Sequence, residues 1–288
     1  MFRFLLFQIM NGLTTGALLF FVAIGLSVVF GLMRILNLSH GALFLFGGFV
    51  GSSVQLATGS FVLAALAGLV AAGVLGLLIQ QVFSRTLLGT PFNQVLLTLG
   101  IAFALNNAIL AIWGGAPRRL EAPAVFMSSV SIFNVTYPSY RLFLIGIYLV
   151  AGALLWLFWE HSRLGALVRA CVDDRQMAAA MGIRVDVVFA SVFTVGAALA
   201  GFAGVLGGPV LGVSIGLDFD VLLLAVVIIV VGGIGSLGGA FVASMLVGLV
   251  DTFGKALFPE ISYFTLFVPV ILILLVRPLG LFGRVATE

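Results

Sequence analysis

Long apolar runs recur from one end of the chain to the other, and they restrict its fold more than any other feature. A bilayer core about 30 Å thick is crossed by roughly 20 residues of helix, because a helix satisfies its own backbone polar groups. The candidate segments are 5–31, 35–57, 61–83, 93–115, 141–160, 188–207, 221–234, 238–257 and 262–276. The seventh is too short to cross alone and runs into a glycine-rich stretch at 232–239, which indicates a broken or re-entrant helix. We therefore predict an all-α integral membrane protein, a helical bundle with eight or nine membrane segments.

Charged residues make up 8% of the sequence and hydrophobic ones 62%, whereas soluble domains have about 25% charged and roughly 45–50% apolar residues. The low charge extends over the whole chain, so residues 1–288 are predicted to form a single transmembrane domain. The net charge of +3 is spread over isolated arginines, a pattern that does not indicate nucleic-acid binding. Ten acidic residues, two histidines and one cysteine show no nucleophile or metal-ligand spacing. We expect no enzyme activity, no metal site and no cofactor bound by this chain.

The longest polar stretch, residues 161–186, carries arginines next to the ends of two apolar segments. These arginines are Arg163, Arg169, Arg175 and Arg184. Basic residues near span ends are typical of cytoplasmic loops, so we place 161–186 in the cytoplasm. Alternation across the bilayer then puts the N-terminus and the loop 116–140 outside and the C-terminus inside.

Residues 169–183 favour a short amphipathic helix, since alanine and methionine are good helix formers and Gly182 is a natural helix end. A helix of this kind outside the membrane is expected to bind a partner. The alternative is a loop helix that lies on lipid headgroups.

Two polar, glycine-containing motifs interrupt apolar runs, one in each half of the chain. The first contains Asn37, Ser39, His40 and Gly41, and the second contains Gly233, Gly235, Ser236 and Gly238. Because transporters bind substrate at broken helices between internal repeats, these residues are candidates for the translocation pathway. The alternative for the glycines is ordinary helix packing, and the alternative for Asn37 is capping of the following helix. An internal duplication is therefore a hypothesis that the sequence leaves open.

Asp251 and Lys255 are four residues apart with the acid first, the favourable order for an ion pair within a helix. We favour a self-neutralised pair near the outer boundary over a substrate site. Lys255 is not part of a nucleotide-binding loop, since Ala256 follows it where a Ser or Thr is needed. Outside, the loop 116–140 is either a simple connection or a docking surface for a partner protein. The docking candidates there and in the next outer loop are Arg118, Arg119, Glu121, Asp218 and Asp220.

The alanine-rich motif that ends in Gly182 and Ile183 is similar to the coupling segment of ATP-binding cassette (ABC) importer permeases. Around it the chain resembles the branched-chain amino acid permease family. The stretches that carry this resemblance are Asn37–Gly41, Ser162–Gly165, Gly196–Gly204, 232–239 and Arg277–Gly283. They follow one another in the family's order.

The resemblance implies a permease subunit in the bacterial inner membrane that moves branched-chain or related small amino acids into the cytoplasm. It also implies a second homologous permease subunit, a pair of cytoplasmic ATPases that use the ATP, and a periplasmic solute-binding protein. Residues 161–186 would dock an ATPase, although Met177 stands where many importers have glutamate. The contact candidates are Arg169, Asp173, Asp174, Arg175, Met177 and Gly182.

Two alternatives belong to other classes of solute or mechanism. One is an ABC permease for another small polar solute such as urea, an amide or an aromatic acid. The other is a secondary carrier driven by an ion gradient, which would need carboxylates or histidines inside the membrane. Only Asp251 qualifies, and Lys255 is its expected partner.

Overall fold

The fold is that of a computed structural model, which describes residues 1–33, 37–86 and 91–283. Within these residues the chain forms α-helices and one β-hairpin. The helices are α1 (Phe2–Met33), α2 (His40–Thr58), α3 (Phe61–Thr86), α4 (Pro91–Trp113), α5 (Ser139–His161), α6 (Arg163–Asp173), α7 (Arg175–Ala180), α8 (Val185–Leu211), α9 (Leu217–Gly232), α10 (Leu237–Leu257) and α11 (Ser262–Val276). The strands are β1 (Ser129–Ile132) and β2 (Val135–Pro138), and short 3-10 turns lie at Ala124–Phe126 and Pro259–Ile261.

Seven of the helices in the described residues are long and apolar enough to cross a membrane, namely α1 to α5, α8 and α10. Helices α9 and α11 are also apolar but have only 16 and 15 residues. Together these elements correspond to the predicted membrane segments, including the short seventh one. The prediction of a polytopic helical membrane protein is confirmed.

Helix α8 lies against α1, α2 and α3, and its small residues let these helices approach closely. A Cβ atom placed on Gly201 would lie 2.5 Å from the carbonyl oxygen of Gly68 in α3. A Cβ atom on Gly204 would overlap the carbonyl oxygen of Phe44 in α2. The backbones are therefore in direct contact, and these positions exclude even a methyl group.

Helix α10 runs antiparallel to α1 along most of its length. A Cβ atom on Gly12 would lie 2.8 Å from Leu249, and one on Gly16 would lie 3.1 Å from Met245. Nearer the other end, a Cβ atom on Gly31 would lie 2.7 Å from the Cα atom of Gly235. The first and last thirds of the chain are thus packed together by glycine.

The β-hairpin lies at one end of the bundle, which we call the hairpin end and define by residues 114–138. Its two turn residues, Phe133 and Asn134, both have positive φ, as a type I′ turn requires. The Tyr137 side chain is buried against α1, where its hydroxyl lies 2.9 Å from the Thr14 hydroxyl. Gln55 of α2 pairs with both backbone groups of Glu121 at 2.8 and 2.9 Å. The hairpin is an element that the all-α prediction did not include.

Candidate functional site

The segment 161–186, which we call the inner segment, is separated from the hairpin end by the full length of α5. It forms two helices instead of the single helix predicted over 169–183. Ser162 begins α6, since its hydroxyl accepts a hydrogen bond from the Gly165 N–H at 2.9 Å. Asp174 has an extended backbone with φ −149° and begins α7 by accepting from the Met177 N–H at 2.9 Å. The expectation of one continuous helix is wrong because Asp174 starts a new helix there instead of continuing the first.

Gly182 ends α7 as predicted. Its φ is +83°, and its N–H donates to the Ala179 carbonyl at 3.0 Å while the Ile183 N–H donates to the Ala178 carbonyl at 3.1 Å. This pair of hydrogen bonds is the Schellman motif, which favours glycine because the left-handed conformation is strained for other residues.

The outer face of the inner segment is accessible and partly apolar. Met177 is 60% exposed and Met181 is 77% exposed, while Asp173 and Asp174 are exposed beside them. Of the predicted ATPase contacts, the side chain of Arg175 lies outside the described residues. Exposed methionine next to charge is a surface suited to a protein partner, because methionine adapts its shape to the surface it contacts.

Arg169 is placed differently from the other predicted ATPase contacts. Its guanidinium donates to the carbonyl oxygens of Trp159 and Glu160 and lies 3.9 Å from the Glu160 carboxylate. These carbonyls are at the C-terminal end of α5, where a helix lacks internal donors. Arg169 therefore holds α6 against the end of α5.

The motif at 37–41 is buried. Asn37 is 2% exposed, and Ser39 and His40 are fully buried. The Asn37 side-chain oxygen accepts from the Ser39 N–H at 3.0 Å and from the Ser39 hydroxyl at 2.6 Å. The His40 Nε2 atom lies 3.1 Å from the Val22 carbonyl in α1. The predicted capping of α2 by Asn37 is wrong, since α2 begins at His40 with Ser39 as its N-cap and no side-chain cap, and Asn37 instead holds the turn before the helix.

The motif at 232–239 is a helix break, as predicted. Gly233 has φ +101° and ends α9, Gly235 has φ +72°, and Ser236 begins α10 by accepting from the Gly239 N–H at 3.0 Å. The chain after α11 covers this break, with the Leu281 and Phe282 N–H groups donating to the last carbonyls of α9 at 2.8 and 3.0 Å. Among the predicted pathway residues here, Gly233 is buried and Gly238 is exposed.

The two motifs lie against the same helix but at different depths. His40 contacts α1 at Val22 and Gly235 contacts it at Gly31, which at 1.5 Å per residue puts them about 13 Å apart along α1. Helix α9 connects them, since its first turn abuts Gly41 and its last turn enters the second motif. The two motifs therefore contact α1 at two separate positions and do not form one compact site. Their role in translocation stays a prediction.

At the hairpin end, the docking candidates divide into exposed and buried residues. Arg119, Glu121 and Asp220 are exposed. Arg118 is half-buried, and its backbone pairs with that of Val213. One of its guanidinium nitrogens lies 3.4 Å from the Ser53 hydroxyl.

Asp218 is buried, which corrects its predicted place in an outer loop. It is 2% exposed and accepts a hydrogen bond from Asn106 of α4 at 2.7 Å. Helix α9 begins one residue earlier, so Asp218 lies in its first turn, where a carboxylate is favourable beside the free N–H groups. This apolar segment is predicted to start at residue 221, because polar residues precede it. Composition alone could not show that α9 already begins at Leu217.

We expect replacement of Asp218 by alanine to destabilise the protein by about 1–3 kcal/mol, because Asn106 would lose its acceptor inside the bundle. Replacement by asparagine keeps an acceptor oxygen and should cost less. Thermal unfolding in detergent measures both effects, and Asp220→Ala is the control because Asp220 is exposed on the same helix. Equal unfolding midpoints for the two alanine variants would contradict the role given to Asp218.

The predicted pair of Asp251 and Lys255 is confirmed, with Lys255 Nζ 2.7 Å from an Asp251 carboxylate oxygen. The Asp251 side chain is 10% exposed and that of Lys255 is 60% exposed. The pair faces a cavity that the sequence analysis did not predict. A polar face on α1, formed by Gln8, Asn11 and Thr15, also faces this cavity. In the sequence this polar face could have been found as polar residues at helical spacing within an otherwise apolar helix.

Membrane-spanning helices, a helix break inside the bundle and an accessible helical segment at one end are the features of a polytopic helical membrane protein. A profile of the family described as "Branched-chain amino acid transport system / permease component" matches residues 8–276. The chain belongs to this family, and it is a transport component and not an enzyme.

Relatives of known function agree with this membership. The chain is 31% identical to the high-affinity branched-chain amino acid transport system permease protein BraD of Pseudomonas aeruginosa, over 98% of this chain and 96% of BraD. It is 30% identical to the permease protein LivH of the corresponding system of Escherichia coli, over 100% of this chain and 98% of LivH. A more distant similarity, 28% identity over 60% of this chain and 50% of the relative, is to the galactose/methyl galactoside import permease protein MglC of Escherichia coli.

Proposed function

We propose that this protein is the membrane permease of an ABC importer that carries branched-chain amino acids into the bacterial cytoplasm. The observation that supports it most is similarity over the full chain to BraD and LivH, both named for branched-chain amino acid transport. The accessible inner segment adds a surface for a driving subunit. Transport then consists of a change between two helix packings, biased by movement at that segment.

The proposed assembly contains a second, homologous permease, a pair of cytoplasmic ATPases that bind the ATP, and a periplasmic solute-binding protein. This chain binds no cofactor of its own. Its inner segment faces the cytoplasm and its hairpin end faces the periplasm, which puts the N-terminus outside and the C-terminus inside. The arginines of the inner segment support this orientation, because basic residues accumulate on the cytoplasmic side.

The second candidate is an ABC permease for another small polar solute. The partial similarity to a galactose import permease supports it, since the same membrane scaffold then serves solutes of different chemistry.

Uptake into proteoliposomes tests the proposal. The chain is co-expressed with the ATPases, the second permease and the binding protein of its transport system. The purified complex is reconstituted into proteoliposomes, and labelled L-leucine is added outside them. We expect uptake that requires ATP, competes with isoleucine and valine, and persists when the proton gradient is collapsed. Recovery of the chain without an ATPase, or uptake that follows the proton gradient, would overturn the mechanism. Competition by galactose or urea but not by isoleucine would favour the second candidate.

A further inference from the structure

A cavity of about 490 Å³ lies at the hairpin end between α1, α9, α10 and α11. Small-molecule sites in proteins have volumes of about 300–1,000 Å³ and combine apolar walls with a few polar groups. This cavity has both, since leucine and valine side chains form most of its wall and polar groups enter from three helices. The apolar wall includes Leu18, Val221, Leu224 and Leu266.

The first group of polar side chains comes from α1. Gln8, Asn11 and Thr15 are three and four residues apart, so they lie on one face of the helix and line the cavity together. The Asn11 side-chain oxygen accepts from the Tyr137 hydroxyl at 3.1 Å and from Arg141, which orients it. The side chains of Gln8 and Thr15 have no hydrogen-bond partner within residues 1–33, 37–86 and 91–283. Their polar groups are available to a ligand.

The second group is charged. Asp251 and Lys255 of α10 and Asp220 of α9 line the same cavity. The Lys255 ammonium has three N–H donors and uses one of them on Asp251, so two remain. With one carboxylate neutralised by Lys255, the carboxylate of Asp220 is left without an opposite charge in the cavity wall. A ligand that brings an ammonium group would supply the opposite charge.

We propose that this cavity binds the transported solute as a zwitterionic α-amino acid with an apolar side chain. The ligand carboxylate binds Lys255 and the polar face of α1, the ligand ammonium binds Asp220, and the side chain packs on the leucine and valine wall. This proposal rests on the proposed function and names the site where the permease itself distinguishes its solute. The Asp251–Lys255 pair then holds Lys255 in place as well as neutralising Asp251.

Cysteine protection tests the site without requiring transport. Cys171 is the only cysteine in the sequence and is buried, so the Cys171→Ala protein is a background for single cysteines. Thr252→Cys and Ala256→Cys place a thiol on the cavity wall, and Met127→Cys places one on the exposed loop as a control. The purified complex is labelled with a membrane-impermeant methanethiosulfonate reagent in the presence of millimolar L-leucine.

We expect L-leucine to slow labelling at the two cavity positions by threefold or more and to leave labelling at Met127→Cys unchanged. Neither 4-methylpentanoate, which lacks the ammonium, nor 3-methylbutylamine, which lacks the carboxylate, should protect as well as leucine. Absence of protection at both positions would overturn the proposal. Equal protection by the three compounds would overturn the assignment of a zwitterion.

Transport kinetics provide an independent test. Asp220→Asn should raise the KM for L-leucine uptake by tenfold or more without changing ATPase recovery, and Asp220→Glu should restore much of the loss. Glu260→Gln, an exposed acid outside the cavity, is the matched control. Unchanged KM values in a wild-type complex that does transport leucine would overturn the cavity assignment alone. A wild-type complex that does not transport leucine would overturn the proposed function instead.

Discussion

Replacing Gly204 by alanine should remove most of the folded protein from the membrane. The added methyl group would overlap the Phe44 carbonyl oxygen and lie 2.9 Å from the Gly48 backbone nitrogen. Both are backbone atoms, so no side-chain rotation relieves the overlap, and α2 and α8 must separate. Overpacking a closely packed interface typically costs about 1–3 kcal/mol or more, and here the displaced element also carries the 37–41 motif.

The yield of monodisperse protein in detergent and its thermal unfolding midpoint measure this effect. The matched control is Gly146→Ala on α5, where a Cβ atom would have no neighbour within 4 Å. Alanine is favoured over glycine in helices by about 1 kcal/mol, so the control should be neutral or more stable. If the two variants behave alike, the contact between α2 and α8 is not as close as described.

Introducing a charge at Met177 should uncouple the permease from its ATPase while leaving the permease folded. Met177 is 60% exposed on α7, so a lysine there, opposite in sign to the glutamate of many importers, disturbs no internal packing. In an interface, however, it would bury a new charge in place of an apolar contact, which is costly when no opposite charge meets it. We expect recovery of the ATPase with the permease to fall at least tenfold, which corresponds to about 1.4 kcal/mol.

Met127→Lys is the control for this experiment. Met127 is 62% exposed, nearly the same as Met177, but it lies at the hairpin end on the other side of α5. ATPase recovery with this variant should equal that of the unchanged protein. A similar loss with both variants would indicate a general effect of surface charge, and no loss with Met177→Lys would remove α7 from the ATPase interface.

Several features were predictable because their cause is local. The membrane segments follow from runs of apolar residues, since every backbone group in lipid has to be satisfied within the segment. The end of α7 at Gly182 follows from the freedom of glycine to adopt positive φ, and the bond between Asp251 and Lys255 follows from helical spacing.

Other features depend on neighbours that are far away in the chain. Asp218 is buried because Asn106 of α4, 112 residues earlier in the chain, meets it. Arg169 looks like an exposed partner contact in the sequence, but it binds the end of α5. In each case the local sequence would look the same if the polar side chain were exposed on the surface.

The sequence by itself therefore determined which apolar segments form helices, where one helix breaks and where the longest polar segment lies. Only the tertiary structure decided which polar residues share a site. Gln8 and Thr15 of α1, Asp220 of α9 and Lys255 of α10 meet around one cavity because α10 packs antiparallel on α1 through glycine contacts. Such contacts between distant helices depend on shape and close approach, which no local pattern of polarity specifies.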